Sequence, residues 1–105
     1  MATNRLEILQ QMLQADPNNS FARYGLAMEY ARTGDYRTAV DEFRTLLAAD
    51  AGYAAAYFHY GQALEKLGDL EAAKRAYEQG IQVTTAKGDN HTRAELEAAL
   101  SLLPV

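Results

Sequence analysis

The chain contains no cysteine, which removes disulfide bridges, thiolate metal sites and a cysteine nucleophile at once. Only two prolines stand against many Ala, Leu, Glu, Gln and Arg, a balance that favours helix. No segment alternates with period two for long enough to make a strand. No apolar run approaches the ~20 residues of a membrane span. Residues 1–19 carry Arg5, Glu7 and Asp16 where a secretory signal would be apolar. A soluble cytoplasmic protein without a membrane partner is therefore expected. Basic clusters are also missing. Fourteen acidic residues against ten basic ones give a net charge of −4, with Arg and Lys interleaved among Asp and Glu. Nucleic-acid binding needs a concentrated basic surface to neutralise phosphates, so no such partner is expected.

What is present is apolar content and repetition. At 105 residues, 49% of them hydrophobic, the chain is long enough for one domain with a real core. Gly34-Asp35 recurs as Gly68-Asp69, 34 residues later. The same offset relates Asp16 to Asp50, Ala22 to Ala56, Ala39 to Ala73 and Phe43 to Tyr77. A fixed period of this size means stacked copies of one supersecondary unit.

Breakers and caps divide the chain into six helices. Leu6, Leu9, Met12 and Leu13 have helical spacing and are ended by Asp16-Pro17-Asn18-Asn19, which predicts a helix over 4–15. A second is expected over 20–32 and closed by Gly34 in the left-handed conformation, with Asp35 capping a third over 36–48. The grammar repeats: a fourth helix over 54–66, the Gly68-Asp69 turn, then a longer fifth from Leu70 to Lys87. Gly88 stops it, and a sixth from Asp89 or Asn90 carries Leu96, Ala99, Leu100 and Leu103 on one face. Thr92-Arg93-Ala94-Glu95 has capping-box spacing and is a second candidate start.

This spacing resembles the tetratricopeptide repeat, with its pattern of a large residue, a Leu-Gly pair, a Tyr, an Ala, an aromatic and a closing Pro. The first copy presents Arg23, Leu26, Ala27, Tyr30, Ala39, Phe43 and Ala51. The second presents Tyr57, Tyr60, Gly61, Leu64, Ala73, Tyr77 and Thr85. Trp is absent, Arg23 stands where a large apolar residue is usual, and Ala51 and Thr85 replace the proline. Small residues at Ala27/Gly61 and Ala39/Ala73 let helices approach closely, and Phe43 and Tyr77 are expected to fill the gap between units.

The resemblance implies an all-α superhelix forming a single domain. Residues 4–15 would be half a repeat, since Leu9 and Leu13 fall on the Phe43 and Leu47 positions. Residues 20–50 and 54–87 would be full repeats, and 89–103 a capping helix. That last helix fits the register only after a shift of two residues, which implies an insertion around Thr85 to Gly88.

In proteins with this repeat, the first helix of each unit lines a concave groove that receives a peptide. By position, the groove would present Phe21, Tyr24, Met28 and Arg32, then Phe58, Gln62, Glu65 and Lys66, with His91 from the last helix. Some such grooves grip a terminal carboxylate with Lys and Asn, but here Tyr24, Met28 and His59 occupy those places. The residues alone also show that 20–32 is apolar on two faces, Leu26, Ala27 and Tyr30 on one and Phe21, Tyr24 and Met28 on the other. The second face either packs on itself along the groove floor or forms an exposed patch for a partner.

The expected function is therefore non-enzymatic binding of a partner protein's peptide or helix. Self-association as a homodimer, through the same face or the open end of the stack, is the alternative. No cofactor or metal is expected, because His59 and His91 lack any close ligand spacing. Ser20, His59 and Asp35 have no nucleophile motif around them. Gly25 and Gly80 lie within helices, where close backbone approach or, at Gly25, room for a groove ligand would justify them.

Overall fold

The computed structural model describes residues 4–105. Six helices follow one another: α1 (Arg5–Ala15), α2 (Ser20–Arg32), α3 (Tyr36–Ala49), α4 (Ala54–Lys66), α5 (Leu70–Lys87) and α6 (Asn90–Leu102). Among the described residues there is no strand. Each helix packs on its neighbours in the chain, and α4 also touches α2 and α6. The result is an elongated helical solenoid of 44 × 29 × 21 Å.

The helix ends are built by the residues that the sequence marks. Asn4, Asn19, Asp35, Asp69 and Asp89 each accept a hydrogen bond from the backbone N–H three residues on. Gly34 and Gly68 have φ of +90° and +81°, conformations that cost an L side chain strain but not glycine. There the chain reverses so that Asp35 N–H reaches the Tyr30 carbonyl and Asp69 N–H the Leu64 carbonyl, closing both helices identically. Gly88-Asp89 makes a third closure of the same kind, with Asp89 N–H on the Thr84 carbonyl. The sixth helix therefore starts at Asn90 behind the Asp89 cap, and the capping-box spacing at Thr92 is not its start.

The extra residues in the second half have a definite place. α5 has 18 residues against 14 in α3, while its connection to α6 is shorter than that from α3 to α4. α6 consequently begins 36 residues after α4 (position 90 against 54), the two-residue shift expected from the apolar pattern. At that offset Arg93 and Glu97 take the places of Tyr57 and Gly61. The face of α6 that would meet a further helix thus carries a loose ion pair, 4.0 Å apart.

One continuous core runs from Ala27 and Phe43 through Tyr57, Leu64 and Tyr77 to Leu96 and Leu103. A smaller cluster of Leu9, Ala22 and Leu26 joins α1 to α2, and Tyr30 borders both. Gly25 belongs to this smaller contact. A Cβ there would sit 2.9 Å from Leu9 Cδ2, so the glycine admits α1 and does not make room in the groove.

The repeat also explains Arg23. Its Nη2 donates to the Pro17 carbonyl at 3.2 Å, and 34 residues later the Tyr57 hydroxyl donates to the Ala51 carbonyl at 2.6 Å. Two different side chains thus tie the same turn to the same helix position. Arg23 Nη1 additionally donates to Glu42 at 2.7 Å, a half-buried pair that joins α2 to α3. Arg23→Leu leaves Glu42 unpaired, and a loss of about 1 kcal/mol is expected from urea unfolding followed by circular dichroism. An unchanged midpoint would show that the pair carries no stability.

Candidate functional site

The candidate site lies where α2, α4 and α6 come side by side. Between α2 and α4 the structure opens a cleft of about 240 Å³, lined by Met28, Ala31, Arg32 and Tyr36 on one side. His59, Gln62, Ala63 and Lys66 line the other. The cleft brings together four residues assigned to the groove by sequence position: Met28, Arg32, Gln62 and Lys66. Helical periodicity accounts for this, since Met28 and Arg32, like Gln62 and Lys66, are four apart and share a face.

The other four have different surroundings. Phe21, in the first turn of α2, is 65% exposed. Tyr24 is half-buried in an aromatic cluster, 5.2 Å from the Tyr53 ring, 6.0 Å from His59 and 6.4 Å from Phe43. Phe58 meets His59 edge-on at 5.3 Å and lies 6.5 Å from the Tyr77 ring. Glu65 accepts a hydrogen bond from the Tyr77 hydroxyl. The second apolar face of α2 therefore divides. Tyr24 and Met28, like Phe58 of α4, pack partly against the core, while Phe21 stands free.

His59 connects the two parts, lining the cleft and contacting both Tyr24 and Phe58. Burial holds its pKa below the ordinary histidine value, against a smaller opposing pull from the Glu95 carboxylate of α6. The ring is accordingly neutral near pH 7 and behaves as one more aromatic wall. Burial likewise raises Tyr24 and Tyr53, with Tyr53 and Glu95 adding to the effect on Tyr24 and Asp50 to that on Tyr53.

Positive charge sits at the other end of the cleft. Arg32 donates to Glu29 Oε1 from Nε at 3.1 Å and from Nη2 at 2.5 Å, and hydrogen bonding from Arg32, more than any other contact, holds the Glu29 carboxyl below its usual range. Lys66 has no ion-pair partner among the described residues.

His91 is on the exposed surface of α6 with Glu95 at 3.9 Å. Among the described residues, no three His, Asp or Glu side chains gather as a metal site, and no helix is long and apolar enough to cross a membrane.

Sequence position does not single out Tyr36, Tyr53 or Glu95. Tyr36 opens α3 and Tyr53 precedes α4, so neither lies on the helices that line the groove. His59 is marked in the sequence only by the resemblance, which sets it where some repeat grooves carry Asn.

Tyr77 is fully buried in the core cluster that also holds Leu96 of α6. Its hydroxyl bonds Gln62 and Glu65, and its ring lies against Gly61, so it engages α4 of its own helix pair. A buried hydroxyl requires polar partners, and α4 supplies them. Phe43 behaves as expected, with its ring between Tyr24 of its own pair and Tyr60 of the next.

Comparison with known proteins agrees with this architecture. The tetratricopeptide repeat family model matches residues 30–86. A TPR repeat-containing protein of Pseudomonas aeruginosa is 31% identical over 98 residues, covering 93% of each chain. The chain belongs to the tetratricopeptide repeat family. Its structure is similar to that of a protein from Bordetella parapertussis at a TM-score of 0.85 and 28% identity, over 97% of this chain and 89% of that one. It is also similar to PcrH, solved in complex with the chaperone binding region of PopD. That likeness has a TM-score of 0.88 at 20% identity, over 93% of this chain and 74% of PcrH.

Proposed function

We propose that the protein is a non-enzymatic interaction module that takes a peptide or helix of a partner protein in the groove formed by α2, α4 and α6. The cleft between Met28 and Gln62, continued by the aromatic wall of Tyr24, His59 and Phe58, carries this reading. It is concave, mostly apolar and edged by a few polar groups, the composition expected of a recognition groove. Phe21, exposed at one end, is an anchor for an apolar side chain. Arg32 and Lys66 receive an acidic residue at the other. The family relationship supports a protein partner, and PcrH, which shares this fold, was solved with a protein segment bound.

Joint replacement of Tyr24, Met28 and Phe58 by Gln tests the reading by affinity capture from the native host. The partner recovered with the wild-type chain is expected to be lost from the variant, whose helicity is checked by circular dichroism. Undiminished recovery by a folded variant would remove the groove from the binding surface.

Exposed apolar residues on the terminal helices, Leu102 at 83% and Ile8 at 46%, favour self-association as the second reading. Light scattering across a concentration series decides it, since a constant monomer mass eliminates a homodimer.

A further inference from the structure

The two helix pairs differ at four positions in a coordinated way. Gly61, Gln62, Glu65 and Tyr77 of the second pair stand where Ala27, Met28, Ala31 and Phe43 stand in the first, each 34 residues earlier. The earlier set is apolar, whereas three members of the later one are joined by hydrogen bonds. The Tyr77 hydroxyl donates to Glu65 Oε2 and accepts from Gln62 Nε2 at 2.7 Å. Chemistry dictates this order. A hydroxyl has one proton and an ionised carboxylate only accepts, so the other group on the Tyr77 oxygen has to be a donor. Gln62 must therefore turn its NH2 inward, with the same nitrogen 3.4 Å from Glu65 Oε2. Its carbonyl oxygen is left without a hydrogen-bond partner among the described residues, on a side chain that lines the cleft.

We propose that Gln62 is a specificity-determining residue of the groove. Its amide, locked by Tyr77 and Glu65, holds a carbonyl oxygen toward the cleft to accept a hydrogen bond from a main-chain N–H of an extended partner segment. The inference rests on the groove reading above and narrows its occupant. A helix spends its N–H groups on its own carbonyls beyond the first turn, whereas an extended segment leaves them available. The ammonium of Lys66, on the same face and without an ion-pair partner among the described residues, complements that segment's carbonyls or an acidic side chain. Met28 and Ala31, the apolar counterparts of Gln62 and Glu65, seat a neighbouring apolar side chain. Because the amide is held before binding, little side-chain freedom is lost when it is used.

The probe is a dodecapeptide selected from a random phage-displayed library on the full chain and mapped onto it by amide chemical-shift perturbation. Amide-to-ester replacement along the peptide removes one N–H at a time. At one position it is expected to weaken binding to the wild type about fivefold to tenfold, the worth of one neutral hydrogen bond. The same replacement should cost nothing on Gln62→Met, which copies the first pair. Tyr77→Phe keeps Gln62 but frees its amide to turn, so the ester effect should shrink there too. Phe43 shows that Phe is accepted at this position of the repeat. A merely structural role for Tyr77 would weaken every peptide alike and leave the ester profile unchanged.

Equal ester costs in wild type and Gln62→Met, or a bound peptide that is helical, would overturn the proposal and leave the groove reading standing. Selected peptides that bind the Tyr24, Met28 and Phe58 variant as well as the wild type would overturn the groove reading itself. A library yielding no peptide that perturbs Met28 and Gln62 overturns both.

Discussion

Phe43→Ala is expected to destabilise the fold by about 3–5 kcal/mol, the usual cost of emptying a large aromatic site in a closed core. Phe43 is fully buried, and its ring lies 6.4 Å from Tyr24 and 6.2 Å from Tyr60. It thus joins α3 both to α2 of its own pair and to α4 of the next. A solenoid depends on such contacts between neighbours, because each unit touches little else. Against a total stability of about 5–15 kcal/mol for a domain of this size, the loss brings the variant close to unfolding. Urea unfolding monitored by circular dichroism measures it, with Phe43→Leu expected to lose considerably less. A midpoint for Phe43→Ala equal to that of the wild type would mean that the two helix pairs do not depend on this ring.

The second large effect is at Gly61. A Cβ added there would lie 2.1 Å from Tyr77 Cε1 and 2.6 Å from Cζ, far inside van der Waals contact. The ring cannot simply withdraw, because its hydroxyl is held by Gln62 and Glu65 on the same helix. Gly61→Ala is therefore expected to cost about 1–3 kcal/mol through overpacking, although alanine favours helix by about 1 kcal/mol over glycine. The first pair shows how the clash is relieved. There Ala27 and Phe43 hold the corresponding positions in the same buried core, and the Phe43 ring has no hydroxyl to tether it. Gly61→Ala combined with Tyr77→Phe should accordingly lose less than the sum of the single changes, a coupling read from thermal melts of the four proteins in a double-mutant cycle. Strict additivity would disprove the tether, and a higher melting temperature for Gly61→Ala would disprove the close approach.

Much of this molecule is legible along the chain. Helix ends depend on local chemistry, so Asn and Asp caps and the Gly-Asp turns mark five of the six helix starts and three of the closures. Tyr53 caps α4 without a side-chain hydrogen bond, and that start is correspondingly the least marked. The groove is legible because residues four apart share a helix face, which places Met28 with Arg32 and Gln62 with Lys66. What escapes is everything that depends on reach between elements. Tyr36 and Glu95 enter the site from α3 and α6, and no spacing within α2 or α4 announces them.

The sequence by itself determined the repeat, the helix order, the two-residue shift before α6 and the surplus apolar face of α2. All of these follow from periodicity and from contacts a few residues apart. Only the tertiary structure decided how that face is used, burying Tyr24 among aromatic rings while leaving Phe21 in solvent. It alone showed that Glu65 and Gln62 are bound to Tyr77, 12 and 15 residues away. A side chain's free hydrogen-bonding capacity is what remains after its neighbours have been satisfied. Those neighbours are set by packing, not by position in the chain.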